Sequence, residues 1–158
     1  MLSRLTRPAG RAFLTLSLTV LIAVGSGQQS RAHEGATGIV KERQQGMVAF
    51  KDAMKAWKLA LDDPKSLTPG AFAEISRDLS SNAGARLLAL YPKDGPTKHT
   101  DASSRIWSEW AKFERLANEL EARARALETM AIDETVLRSE FKAIGGICKA
   151  CHESFRER

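Results

Sequence analysis

The chain has 158 residues, 43% of them hydrophobic and 27% charged, which is the size and make-up of one globular domain. Its formal charge of +5 suggests a basic, partner-seeking protein, but the surplus sits at one end. Residues 1–32 hold four arginines and no acid; without them Lys and Arg fall from 24 to 20 against 19 Asp and Glu, and a remainder so nearly neutral excludes a strong electrostatic grip on nucleic acid.

The N-terminal stretch has its own logic. Arg4, Arg7 and Arg11 precede an uncharged run of 12 residues, Phe13 to Val24. A small and polar stretch, GSGQQSRA, follows and ends at Ala32. Basic region, short apolar region and small-residue site form a secretory signal. A membrane span needs about 20 apolar residues, so an anchor is the weaker reading. The expectation is a signal peptide over 1–32, cleavage after Ala32, no membrane insertion afterwards, and a domain over 33–158.

Four helical segments are expected in that domain, and no strand. The first runs from about Gly38 to Leu61, with Ile39, Met47, Phe50, Met54, Trp57 and Leu61 on one face and Arg43 filling the gap in that stripe. The second runs from about Pro69 to Tyr91, with Thr68 as N-cap, Pro69 at the first helical position and Pro92 as the stop. A polar loop, KDGPTKHTDAS, leads to the third. There Ile106, Trp110, Phe113, Ala117, Leu120, Ala124 and Leu127 alternate steps of four and three. The fourth starts near Asp133, a good N-cap, and carries Leu137, Phe141, Ile144, Cys148, Cys151 and Phe155 in the same rhythm. Sustained steps of four and three predict near-antiparallel packing, and so an all-α, up-down four-helix bundle.

Both cysteines of the chain lie in C-K-A-C-H, Cys148 to His152, on the inward seam of the last helix. A disulfide between them would close too small a loop to constrain the unfolded chain. Free cysteines are often small buried hydrophobes, but the adjacent histidine argues for more. Zinc would need a fourth ligand, and His33 and His99 are poorly placed for it. A thiol–disulfide oxidoreductase would set its C-x-x-C near a βαβ pattern, and no strand is expected. C-x-x-C-H is also the attachment signature of c-type haem: two thiols add to the vinyl groups and the histidine ligates iron. Met47, on the inward stripe of the first helix, offers a thioether for the opposite face of the iron, although core filling would explain it as well.

Taken together, Arg43-Gln44 with Met47 beyond them, the R-I-W of Arg105 to Trp107, and C-K-A-C-H-E-S-F-R at 148–156 resemble the class II c-type cytochromes. That family includes cytochrome c-prime and its low-spin relatives, and the resemblance covers the whole expected mature domain. It implies one covalent haem c with iron, held by Cys148, Cys151 and His152. It further implies that Arg43 lies beside a haem propionate with Gln44 near it, that Asp101 lies near the haem edge, and that Arg156 is on the proximal side. A bidentate arginine–carboxylate pair is the physical reason to want Arg43 there. The family divides at the position of Met47. Where a methionine ligates iron, the protein passes electrons; where an apolar side chain merely covers it, the iron is five-coordinate and binds nitric oxide or carbon monoxide.

The reading expected from the sequence is therefore an exported, periplasmic monohaem cytochrome for single-electron transfer. His152 and Met47 are its axial ligands, and unidentified redox proteins its partners. The alternative is the gas-binding form. No catalytic nucleophile or acid–base pair is apparent, so the chain is not read as an enzyme. Members of the family are often homodimers through their first two helices; no separate apolar stripe for such a contact is visible in the sequence.

Overall fold

In a computed structural model, the described residues are 36–157 apart from 64, 66, 67, 94, 131 and 132. The expected leader over 1–32 and its cleavage point lie outside them. The described part is an all-α bundle whose long helices fold back on one another. Its elements are α1 (Gly38–Asp62), α2 (Pro69–Asn82), α3 (Gly84–Ala89), α4 (Arg105–Ser108), α5 (Trp110–Ala126), a 3₁₀ turn (Leu127–Thr129) and α6 (Glu134–Phe155). No helix among the described residues is long and apolar enough to cross a membrane.

The local signals work as their chemistry demands. The Thr68 hydroxyl accepts from the Ala71 N–H at 3.2 Å, with Pro69 at the first helical position of α2. The Asp133 carboxylate accepts from the Val136 N–H at 2.9 Å and opens α6. Each cap satisfies a backbone donor that the first turn leaves unpaired.

Two expected helices are broken. The second divides at Ala83 and Gly84. Gly84 has φ +53°, which glycine adopts without strain, and a Cβ there would fall 1.6 Å from the Glu121 carboxylate. The chain bends at this point and α5 closes against it. The third divides at Glu109, while its apolar stripe carries on across the break.

The core follows the predicted stripes. Trp57 is fully buried and meets Phe72 and Phe141 edge-to-face, with ring centroids 5.2 and 5.5 Å apart. Arg138 donates to the Leu61 carbonyl from α6. These contacts make α1 and α6 antiparallel neighbours and fix their register. Across the bundle, the buried Ser76 hydroxyl donates to the Ala124 carbonyl at 2.7 Å and ties α2 to α5.

Candidate haem-attachment site

Counting along both helices from the Trp57–Phe141 contact brings Met47 level with Cys151 and His152. Met47 is half-buried and packs on the core, as do both cysteines. Cys148 and Cys151 are three apart on α6, so their side chains share a face. Both are free. Burial pushes the Cys148 thiol up; it pushes Cys151 up to about 11, with Cys148 adding to the effect. Both sulfurs are therefore neutral S–H groups at neutral pH.

His152 is exposed at the end of the same helix. Partial desolvation lowers its pKa, and the positive charge of Arg156 lowers it further. Both effects favour the neutral imidazole, which keeps a lone pair for a metal.

Arg43 is only 2% exposed, although it carries a charge. Its Nε donates to the Leu90 carbonyl at 2.7 Å and its Nη1 to the Pro96 carbonyl at 2.8 Å. Its guanidinium also lies over the Tyr91 ring. Nη2 is buried without a hydrogen-bond partner. Two of the three nitrogens are thus committed to loop carbonyls. The bidentate carboxylate pair expected for Arg43 is reduced to what Nη2 can offer. Gly95 permits this closeness, since a Cβ there would stand 2.9 Å from Nη2.

Gln44 continues the same task. Its Nε2 donates to the His99 carbonyl at 3.2 Å, and His99 has φ +57°. Trp107 Nε1 donates to the Pro92 carbonyl at 2.8 Å. One end of α1 and the short α4 therefore tie down the loop after α3. Asp101 and Arg156, expected separately at the haem edge and the proximal side, are paired with each other at 3.0 Å.

Sequence reasoning passed over Tyr91, the one tyrosine of the chain. It is buried under Arg43, meets Phe113 edge-to-face at 5.0 Å, and lies close enough to Cys151 for their charges to couple. Burial pushes its phenol up to about 12, the Arg43 charge opposes that, and Cys151 reinforces it. Tyr91 lies off the helical stripe, so periodicity had no way to pick it out.

These residues fit a covalently held haem. Two neutral thiols on one helix face, a neutral imidazole beside them and a buried guanidinium nitrogen lacking an acceptor are the groups that such a cofactor needs. An unpaired buried donor costs about 1–3 kcal/mol, and a carboxylate brought to Arg43 Nη2 would offset that. Among the described residues no three or more His, Cys, Asp and Glu side chains converge as a site for a bare metal ion.

A family model described as cytochrome C' matches residues 38–156. The chain is 38% identical over 89 residues to a cytochrome c' of Rhodopseudomonas palustris, a match covering 54% of this chain and 61% of that protein. It is 32% identical over 124 residues to a cytochrome c' of Pararhodospirillum photometricum, covering 75% of this chain and 95% of the relative. Among solved structures, a mutant cytochrome c' from Rhodopseudomonas palustris has a TM-score of 0.69 at 26% identity, covering 78% of this chain and 100% of that one. A cytochrome c' described as having an unusual ligand-controlled dimer dissociation has a TM-score of 0.66 at 20% identity, covering 76% and 95%.

Proposed function

The chain belongs to the cytochrome c' family, whose members carry covalent haem c, and we propose that its iron is five-coordinate and binds a small gas such as nitric oxide or carbon monoxide. Cys148 and Cys151 would anchor the haem, each thiol adding its S–H across a vinyl group with nothing lost. His152 would ligate the iron, and Met47 would cover the opposite face as an apolar lid. Arg43 Nη2 would meet a propionate, with Gln44 and Tyr91 holding the loop that frames it. When bound, the haem supplies a one-electron iron centre with one open position. The observation that carries this reading is that the relatives are named cytochrome c'; by the resemblance described above, that is the branch in which an apolar side chain covers the iron.

A second reading makes Met47 the sixth ligand and the protein a low-spin electron carrier, as first expected. It is favoured by the thioether on the inward face of α1, level with His152. Met47→Ala separates the two. Under the first reading the variant keeps a high-spin spectrum and binds carbon monoxide faster. Under the second it loses a methionine–iron band and changes spin state.

The signal-like stretch over 1–32 supports export to the periplasm. An outer groove between α1 and α2 supports a homodimer. Ala56, Leu59, Ala71 and Ile75 line it, Asp52, Glu74 and Asp78 rim it, and Leu59 is 59% exposed. No enzymatic step is proposed.

A further inference from the structure

We propose that Asp101 is a positioning residue that holds the Arg156 guanidinium on the His152 side and so tunes the electrostatic field at the iron, an inference that rests on the haem reading above. The backbone sets up the pair. After α6 the chain forms an antiparallel bridge between Ala102 and Arg156. The Ser103 N–H donates to the Phe155 carbonyl at 2.8 Å, and the Glu157 N–H donates to the Asp101 carbonyl at 2.7 Å. These bonds clamp the last turn of the helix that bears His152. Arg156 Nη2 then donates to Asp101 Oδ2 at 3.0 Å. Among the described residues, Asp101 is the carboxylate paired with Arg156.

The pair is poorly explained as a staple. The side chains are 55% and 26% exposed, and pairs so exposed add little stability. The backbone clamp already fixes the chain end. Its electrostatic consequence is clearer. Arg156 lies one helical turn beyond His152, and its backbone N–H donates to the His152 carbonyl at 3.1 Å. A cation there favours the reduced, less positive iron, and a carboxylate tethered to that cation opposes it. Of the other charges on these elements, Lys149 pairs with Glu153, and Glu109 with Arg105 and Lys112.

The test is a redox titration of the haem-loaded protein and of Asp101→Asn, Arg156→Gln and their combination. Asn keeps the shape of Asp101 and its backbone acceptor for Glu157. The reduction potential is expected to rise in Asp101→Asn and to fall in Arg156→Gln. Asp101→Asn is expected to raise it more when Arg156 is already gone, because in the parent the loss of the carboxylate also releases the cation it holds, and Asp101→Glu to return it toward the parent value. An unchanged potential in Asp101→Asn, or an equal rise in both backgrounds, overturns the positioning role while leaving the haem reading intact. Should Asp101→Asn not fold, an unchanged potential in Arg156→Gln overturns it instead. A parent protein that attaches no haem overturns the haem reading, and this inference with it.

Discussion

Arg43 lies with its guanidinium carbon 4.4 Å from the centre of the Tyr91 ring, and the same guanidinium holds the carbonyls on either side of that tyrosine, Leu90 and Pro96. One residue of α1 thereby fixes the loop that borders the cysteines. Arg43→Leu removes the charge but strands both carbonyls, and is expected to cost about 2–4 kcal/mol in denaturant unfolding. Arg43→Lys should recover little, because an ammonium lacks the planar fork that reaches two acceptors while stacking. A loss in Arg43→Leu below about 0.5 kcal/mol, the range of ordinary surface changes, would mean that the loop is held by other contacts.

Tyr91 gives the fold an alkaline limit. Its phenol is pushed from its usual 10 up to about 12, chiefly by burial. The folded state therefore holds this proton more tightly than the unfolded state. The resulting stability is fully present below pH about 10 and is lost as pH rises toward about 12. As the single tyrosine, Tyr91 can be followed by tyrosinate absorbance alone. The midpoint is expected near 12, and Tyr91→Phe should flatten the stability loss over that window. A midpoint near 10 would place the phenol in water.

The exposed side of α1 gives a prediction for assembly. Leu59 is exposed in the single chain, so Leu59→Glu should leave unfolding stability nearly unchanged. Sedimentation is expected to report a dimer for the parent, with self-association weakened roughly tenfold or more in the variant, since a charge would enter an apolar contact already rimmed by acids. A parent that sediments as a monomer at every concentration would remove the groove as an interface.

The two thiols can be counted by haem retention. Cys148→Ser or Cys151→Ser alone leaves one thioether, and the haem stain should still follow the chain through denaturing electrophoresis. The double variant should lose the stain altogether. Retention in the double variant would contradict attachment at these cysteines.

Much of this arrangement could be read from residue spacing. The four stripes predict the bundle because tertiary packing rewards a continuous apolar face, and Thr68, Pro69 and Asp133 mark helix starts by satisfying orphan backbone donors. The break at Gly84 escaped, because a glycine inside a helical pattern does not reveal its φ; only the approach of Glu121 on α5 requires it. The site divides in the same way. Cys148, Cys151 and His152 are legible because their chemistry needs fixed local spacing. The pairing of Asp101 with Arg156, the use of Arg43 on loop carbonyls and the burial of Tyr91 are long-range contacts, with no local pattern to announce them. Met47 was legible as an inward residue, but its role depends on what stands opposite His152, and spacing along one helix does not carry that.

The most direct measurement is the absorption spectrum of the purified, reduced protein, produced in a host able to attach haem, before and after carbon monoxide is added. The account predicts a high-spin haem c spectrum that carbon monoxide converts to a sharp, low-spin adduct. A six-coordinate low-spin spectrum that carbon monoxide leaves unmoved would contradict it and make Met47 an iron ligand, and a colourless protein would contradict haem attachment itself.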